Sequence, residues 1–373
     1  MAYEGVDPSR LGLVNNTGTD YDALFLKVFS GEVLTTFEAN NMMLPLSRVR
    51  TITSGKSAQF PVTGVAEAKY HTPGDSLFAD EQDTGNMYLS NVKHNERTIS
   101  IDGVLTSSAF IADIDEAKNH YEVRSIYSTE IGRQLAYTAD KNLIHTVIAG
   151  ARETTSRFGG SAMSGGTNTY GGAVINMGDN TNGAGNEIQI SSDVVTADGS
   201  APSASTGKSL LQALFTAAEL FDSKNVPSEG RYCLLPPGQY YKLIKENTDA
   251  INRDYGNEGN GSTASGNIVS VAGIQLMKSN HVPSGVDLRG TIHDDAGVSN
   301  NVFGGTDGYS ADFADTCGIV FQTEGIGTVK LLDLSMESEY YMDRLGTLLM
   351  AKYAMGHGVL REEACCEIIL DAA

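Results

Sequence analysis

The spacing of apolar residues predicts a single helix over residues 113–150, longer than most globular domains contain. Its wider apolar face carries Ile114, Ala117, Tyr121, Ile131, Leu135, Ala139, Leu143 and Val147. A thinner second face carries Val123, Ile126, Tyr137, Ile144 and Ile148. We expect a helix of roughly 50 Å that ends at Gly150. Two apolar faces favour packing in its own domain on one side and against a loop or a second subunit on the other, although a buried helix of a large enzyme fits the same pattern.

A period of two in the apolar residues predicts strands at residues 48–62 and 97–105, which we interpret as the legs of a long hairpin. More than thirty residues rich in glycine, aspartate and asparagine separate the two legs. Loops of this length rarely lie inside a compact core. Such a loop either projects toward a partner or is disordered, and we favour projection.

The remaining elements alternate with polar, glycine-rich stretches. The first twenty residues are turn-rich and predict either an extended arm or a segment that stays mobile until a partner orders it. Residues 21–37 predict an amphipathic helix. Residues 152–205 are rich in Gly, Ser, Thr and Asn, which indicates a boundary or an insertion. Beyond them we predict helices at 210–221 and 240–245, strands at 231–235, 267–282, 317–321, 327–334 and 364–370, and either a helix or a strand at 350–355.

Composition narrows the classes of function. With 373 residues and 40% hydrophobic content, the chain can fill one large core or two modest ones. A formal charge of −20 argues against a surface that wraps nucleic acid, because such surfaces neutralise phosphate with lysine and arginine. The four cysteines show no CxxC spacing, which favours synthesis in a reducing cytoplasm. We expect no signal peptide, because the first residues lack its basic and apolar blocks, and no membrane span, because the chain has no run of 18 apolar residues.

Two Gly-Lys-Ser triplets, at residues 55–57 and 207–209, end like a phosphate-binding loop. That loop also needs a glycine five residues earlier, where this chain has Arg50 and Pro202. We therefore do not predict a nucleotide site, and we interpret Gly55 as a turn or bulge. The expected cap of the helix after the second triplet is one of Ser205, Thr206 and Ser209.

No other motif indicates a catalytic, cofactor-binding or metal-binding residue. Residues 179–183 begin like a calcium loop but lack its spacing to glutamate. The histidines lack zinc-ligand spacing and are His71, His94, His120, His145, His281, His293 and His357. We interpret His357, which lies between two glycines, as part of a tight backbone turn. We predict that the protein is not an enzyme.

Four segments resemble the major capsid protein of T-seven-like short-tailed phages, the podovirus/autographivirus group. They are residues 23–37 (ALFLKVFSGEVLTTF), 54–62 (SGKSAQFPV), 99–136 (with IDGVL and DIDEAKNHYEVRS) and 327–361 (with GTVKLLDL and AKYAMGHGVLR). The resemblance covers residues 21–150 and 317–370 in the order of the family. Between them only the layout is similar, with RYCLLPPGQYYKLI and AGIQLMKSNHVP as the matching stretches.

The resemblance implies an α+β, HK-97-like (Hong Kong 97) capsid fold. Its implied parts are an N-terminal arm (1–46), an extended hairpin called the E-loop (47–105), a P-domain (106–152 and 315–373) with a spine helix at about 113–150, and an A-domain with Gly-rich insertions (153–314).

The resemblance also implies a function. The protein would assemble with itself, as hexamers and pentamers, into the icosahedral head that encloses double-stranded DNA. Its expected partners are a scaffolding protein, a portal protein at one vertex and packaged DNA bound non-specifically inside, with no membrane. It would be made in the host bacterial cytoplasm and end in the virion. The lysines Lys56, Lys69 and Lys93 are not expected to form cross-links in this group.

Two other functions stay open at this point. A shell protein of a cargo-holding nanocompartment would share the fold. A tail or surface-attachment protein would explain the Gly-, Asn- and Thr-rich middle of the chain.

Overall fold

The computed structural model describes residues 42–63, 68, 70–71, 73–74, 94–118, 124–153, 171–177, 187–190, 207–246, 261–262, 267–268, 270–288, 302–303 and 308–370. The predicted helix at residues 21–37, nearly all of the predicted arm and most of the loop between the hairpin legs lie outside these ranges.

Helices and strands both contribute to the described fold. The helices are α1 (Asp113–Lys118), α2 (Arg124–Arg152), α3 (Gly207–Ser223) and α4 (Pro237–Glu246), with short 3-10 helices at Leu44–Leu46 and Glu362–Ala364. The strands are β1 (Arg48–Thr51), β2 (Ser57–Thr63), β3 (His94–Ser100), β4 (Leu105–Ala112), β5 (Ala173–Asn176), β6 (Glu187–Gln189), β7 (Arg231–Leu235), β8 (Gly261–Ser262), β9 (Asn267–Ile268), β10 (Ser270–Val271), β11 (Ile274–Lys278), β12 (Val286–Asp287), β13 (Asp312–Phe313), β14 (Thr316–Gln322), β15 (Ile326–Tyr341), β16 (Gly346–Val359) and β17 (Cys365–Ile369).

A seven-stranded sheet forms the middle layer of a three-layer unit, in the order β10-β11-β7-β14-β17-β5-β6. On β7, Cys233 belongs to the apolar cluster that contains α3 and α4, whereas its neighbour Leu234 belongs to the cluster that contains α2. On β14, Val320 and Ile319 divide in the same way. This alternation places α3 and α4 on one face of the sheet and α2 on the other.

Helix α2 also packs on a second sheet, which has the order β1-β15-β16-β4. Its first half contributes Ile131 and Leu135 to a cluster with Tyr353 and Met355 of β16, whereas its second half contributes Val147 to the cluster on the seven-stranded sheet. At 29 residues, α2 is about 44 Å long. One rigid helix therefore spans both sheets.

The predicted helix at 113–150 is confirmed at residues 113–118 (α1) and 124–150 (α2), and residues 119–123 lie outside the described part. Its predicted end at Gly150 is wrong, because α2 continues to Arg152. Gly150 lies inside α2. A Cβ at this position would lie only 3.0 Å from both Cys365 Sγ and Val359 Cγ1. The glycine allows close packing and does not end the helix.

The second face of α2 is largely covered by the subunit itself. Ile144 and Ile148 are fully buried in the cluster on the seven-stranded sheet. Tyr137 is half-buried, and its ring centroid lies 4.6 Å from that of His281. Ile126 is half-buried, and Val123 lies outside the described residues. The expectation that the second face packs against a loop or a second subunit is wrong for Ile144 and Ile148, because the seven-stranded sheet of the same subunit covers them.

The predicted hairpin exists, but its legs are shorter than expected. Strands β2 and β3 pair antiparallel from Ser57 opposite Ser100 to Thr63 opposite His94. Strand β1, expected in the first leg, instead pairs in parallel with β15, and Leu105 begins β4, which pairs with β16. A period of two is common to hairpin legs and sheet strands, so the pattern could not distinguish them.

Most other predicted elements are confirmed within one turn of their expected bounds. Residues 350–355 belong to a strand, β16, and are not helical. The expected bend at Gly273 is a tight turn in which Ala272 and Gly273 both have positive φ, 50° and 77°. The expected domain boundary at 314/315 falls between β13 and β14, and the seven-stranded sheet takes strands from both sides of it.

Candidate functional site

The base of the β2–β3 hairpin docks on the face of the four-stranded sheet opposite α2. Phe60 and Ile99 form a buried cluster with Val329 of β15 and Ala354 of β16. Ala354 alternates along β16 with Tyr353 and Met355, which contact α2. The hairpin and the long helix are therefore held on the two faces of one sheet.

Two glycines make the space for this docking. Gly327 and Gly358 lie opposite each other on β15 and β16. A Cβ at Gly358 would lie 2.9 Å from Ile99 Cγ1, and one at Gly327 would lie 2.9 Å from Leu360 Cδ1 and 3.1 Å from Ile99 Cδ1. We call this pair the glycine socket. Any larger residue there would push the hairpin base away from the sheet.

A buried polar network runs beside the socket. The Tyr309 hydroxyl donates to Asp102 Oδ2 at 2.7 Å and accepts the His357 N–H at 3.0 Å. The Thr328 hydroxyl lies 3.1 Å from His357 Nδ1 and 3.1 Å from the Ser47 hydroxyl. Burial lowers the pKa of His357 to about 4, so the imidazole is neutral at pH 7.

The interpretation of His357 as part of a tight turn is wrong. Residues 356–358 continue β16 and pair with residues 327–329 of β15. Gly358 allows the β2–β3 hairpin to pack closely on this strand through Ile99. The glycines on either side of His357 predicted a turn, but they lie within a regular strand.

A buried ion pair ties the end of α2 to the seven-stranded sheet. Arg152 Nε and Nη2 each donate to a Glu367 carboxylate oxygen at 2.7 Å, and the Thr316 hydroxyl donates to the same carboxylate at 2.6 Å. Arg152 also donates to the Asp312 carbonyl at 2.8 Å and lies over the Phe313 ring. Burial lowers the pKa of Arg152, but the Glu367 carboxylate together with the charges of Asp312 and Asp315 outweighs burial, so the pKa is raised. A single glutamate in the apolar strand CCEII was the signal for this pair.

The far end of the four-stranded sheet exposes large apolar side chains. The exposed fractions are 82% for Met342, 65% for Leu345, 61% for Ile114 and 47% for Tyr340. The Tyr340 hydroxyl donates to Asp113 Oδ2 at 2.7 Å, and the Asp113 N–H donates to the Leu345 carbonyl at 3.0 Å, so α1 and the β15–β16 turn are joined. We call these four residues the hairpin-tip patch, after the turn of the β15–β16 hairpin, which is distinct from the β2–β3 hairpin.

Leu345 adds strain to this patch, with a φ of 46°. The left-handed region is unfavourable for a residue with a Cβ. Exposed apolar surface together with local strain is typical of a contact region. Ile114 is exposed, so its prediction as part of the buried helix face is wrong.

Neither Gly-Lys-Ser triplet has a phosphate-binding geometry. Gly55 has a φ of 117°, as expected for a turn. Gly207 is the first residue of α3, and its N–H donates to Glu246 Oε2 at 2.6 Å. A carboxylate therefore occupies the place at this helix start where a phosphate would bind. Ser209 is buried in the first turn, and the other two expected capping residues lie outside the described part.

The other chemistry-bearing residues show no assembled centre within the described ranges. There, no three histidine, cysteine, aspartate or glutamate side chains are placed to hold a metal ion. All four cysteines are buried and unbridged, and burial raises the pKa of Cys317 to about 11 and of Cys366 to about 12. Of the described helices, none has the length and apolar character to cross a membrane.

Comparison with known proteins identifies the family. A family model described as "Gp10A-like: Major capsid protein" matches residues 59–369. The chain belongs to this family. It is 32% identical over 351 residues to the major capsid protein of Escherichia phage T7, covering 93% of this chain and 92% of that protein. It is 31% identical over 357 residues to that of Enterobacteria phage T3, covering 95% and 93%.

Solved structures agree with the family match. The capsid structure of cyanophage P-SCSP1u has a TM-score of 0.70 and 40% identity, and the match covers 99% of each chain. The mature capsid of bacteriophage PhiM1 has a TM-score of 0.61 at 16% identity over 98% of this chain and 97% of that one, which shows the fold alone. The fold is HK-97-like, and the resemblance noted from the sequence is confirmed.

This major capsid protein is a structural component of the virion and assembles with copies of itself into a shell. The matches do not favour a nanocompartment shell or a tail protein.

Proposed function

We propose that this major capsid protein forms hexamers and pentamers, which close into the icosahedral head around the double-stranded DNA genome of a short-tailed phage. The observation that carries the proposal is the β2–β3 hairpin, which has a locked base and a long segment beyond its paired strands. A hairpin of this design can lie across a neighbouring subunit while its own subunit sets its direction.

The proposed domain plan keeps the ranges expected from the family. Residues 1–46 are the arm, 47–105 the E-loop, 106–152 with 315–373 the P-domain, and 153–314 the A-domain. The two sheets support two functional regions, and α2 supports a spine because it packs on both of them. Strands β1 and β4 are edge strands of the four-stranded sheet and fix the two ends of the proposed E-loop on it.

The hairpin-tip patch is the proposed contact with another subunit at the opposite end of that sheet. Burying an exposed methionine and leucine gives about 1.5–3 kcal/mol each before ordering costs. A shell sums many such contacts, so each one can be weak. The strained Leu345 fits this role because its side chain gains nothing in the free subunit.

The proposed partners during assembly are a scaffolding protein, a portal protein at one vertex and packaged DNA on the inside, after synthesis in the cytoplasm of the bacterial host. The charge of −20 supports packaging without sequence recognition, since an acidic wall does not retain phosphate. We further propose that packaging converts a precursor shell to an expanded form in which the arm and α2 repack.

Coexpression with the scaffolding protein, followed by electron microscopy, tests the proposal. The wild-type chain should form closed shells with hexamers and pentamers. A variant that lacks residues 64–87 should give folded, soluble subunits that do not close, because it loses the loop but keeps the socket. Closed shells of normal stability from this variant would contradict the E-loop role.

A matched control separates folding from assembly. Gly132→Ala changes an α2 position with no atom within 4 Å of the added Cβ, so it should assemble like wild type. Particles that contain an enzyme and no DNA would instead favour a nanocompartment, and trimers without shells would favour a tail protein.

A further inference from the structure

A single buried carboxylate holds the backbone of Met42 and Met43 against α2. Asp140 lies in the middle of α2 and is 1% exposed. Its Oδ2 accepts the N–H of Met42 at 3.0 Å, and its Oδ1 accepts the N–H of Met43 at 3.1 Å. Each oxygen therefore takes one donor, and the two donors come from consecutive peptide units.

Such an arrangement is costly for the subunit alone. Burial raises the pKa of Asp140, and the two N–H donors oppose that rise. The facing strand β16 contributes Tyr353, whose own pKa is raised by burial and by the charges of Asp102 and Asp140. A buried acid is weak evidence for stability, and its best attested use is to specify one arrangement.

The residues that follow Met43 are pinned as well. Met43 is fully buried against the second half of α2. The Ser47 hydroxyl donates to the Leu44 carbonyl at 2.8 Å and lies 3.1 Å from the Thr328 hydroxyl. Strand β1 then pairs with β15 from Arg48 onward. The chain is thus held at both ends of a short segment, residues 42–47.

The position of the clamp on α2 is also informative. Ala139 packs toward the four-stranded sheet, whereas Leu143 packs toward the seven-stranded sheet. Asp140 lies at the crossing between them, at the junction of the two halves of the subunit. Two consecutive peptide planes, those of Met42 and Met43, are therefore fixed where α2 passes from one sheet to the other.

We propose that Asp140 is a positioning residue for shell assembly, which anchors the proposed arm (residues 1–46) to α2 at Met42 and Met43. The proposal rests on the proposed shell function. According to this proposal, the buried Asp140 carboxylate contributes to assembly and does not stabilise the free subunit.

The test is Asp140→Asn in the full chain, coexpressed with the scaffolding protein. An amide offers one acceptor oxygen, and its NH₂ group faces the second N–H, so the clamp loses at least one bond. We expect amide hydrogen exchange at Met42 or Met43 to accelerate about tenfold or more, which is the loss of one charge-assisted hydrogen bond. The Tm should stay level or rise, while the yield of closed shells falls severalfold.

Thr146→Val is the matched control. Thr146 is buried on the same helix, and its hydroxyl donates to the Asn142 carbonyl at 2.7 Å, so the substitution also removes one buried hydrogen bond from α2. It does not contact residues 42 and 43 through that bond, and it should leave both the exchange at Met42 and Met43 and the yield of shells unchanged.

Three outcomes of Asp140→Asn overturn the proposal: unchanged exchange at both methionines, faster exchange with a wild-type yield of shells, or a Tm that falls in step with the yield. If the variant does not fold, deletion of residues 2–39 decides the question, because it leaves a peptide bond before Met42 and keeps both amide N–H groups of the clamp. A wild-type yield of shells from this deletion removes any role for positioning, whereas lost shells with Met42 and Met43 still protected support it. Failure of the wild-type chain itself to form shells would contradict the proposed function, not this inference.

Discussion

Replacing Arg152 by methionine tests whether the buried ion pair holds α2 to the seven-stranded sheet. The Glu367 side chain is fully buried and accepts three hydrogen bonds, two of them from Arg152. In Arg152→Met the carboxylate keeps only the Thr316 hydroxyl. Leaving one partner of a buried ion pair unpaired usually costs 3–5 kcal/mol.

The lower end of this range applies here. The Arg152 side chain is 32% exposed, so water can reach part of the space that it vacates. We therefore expect Arg152→Met to lower the free energy of unfolding of the free subunit by about 3 kcal/mol. The double variant Arg152→Met with Glu367→Gln removes the stranded charge, and it should recover about 2 kcal/mol of that loss.

Urea denaturation of unassembled subunits, followed by circular dichroism of the helices, measures these values. The chain contains no tryptophan, so circular dichroism is preferable to intrinsic indole fluorescence. A loss below about 1 kcal/mol in the single variant, or a double variant as unstable as the sum of its parts, would refute the reasoning.

Three further predictions follow from the same surfaces. Burial lowers the pKa of His357 from 6.5 to about 4, so the unfolded chain takes up a proton at His357 at a higher pH than the folded chain does. The free energy of unfolding should therefore fall by up to about 3 kcal/mol as pH drops from 6.5 to 4. In urea titrations at several pH values, His357→Gln should flatten this loss, and an unchanged pH dependence would count against the prediction. Gly358→Ala should lower the free energy of unfolding by about 1–3 kcal/mol, because the added Cβ would clash with Ile99. The control Gly132→Ala should raise it by about 0.5–1 kcal/mol, because the added Cβ has open space on a helix. Equal urea midpoints for the two variants would argue against the glycine socket. Leu345→Gly relieves a φ of 46° and should leave the free subunit equally or more stable by about 1 kcal/mol, yet lower the yield of shells, and a normal yield would exclude the hairpin-tip patch as a contact.

Local patterns were sufficient where the partner of an element is its neighbour in the chain. The strand at 231–235 and the helices on either side of it were predicted within one turn of their bounds, because an amphipathic face is a signal within a few turns of the chain. The start of α4 at Pro237 was missed, although proline is common at the first position of a helix. The turn at Gly273 was equally readable, since it needs positive φ.

Long-range contacts were outside the reach of such patterns. Gly150 was read as a stop because glycine is common after helix ends, yet its role depends on Cys365, more than two hundred residues away. The partners of Asp140 and Arg152 are equally remote, at sequence separations of 97 and 215 residues. No spacing rule connects residues so far apart.

The sequence by itself determined that the chain forms a long two-faced helix, a projecting hairpin and an acidic, motif-poor surface, and its segments indicated the capsid family. Those properties depend on side-chain identity and local periodicity. Only the tertiary structure decided that α2 spans two sheets, that β1 leaves the hairpin for β15, and that a single carboxylate clamps the chain at Met42 and Met43. These facts depend on which distant strands bury which face, and that choice is made by packing of the whole chain.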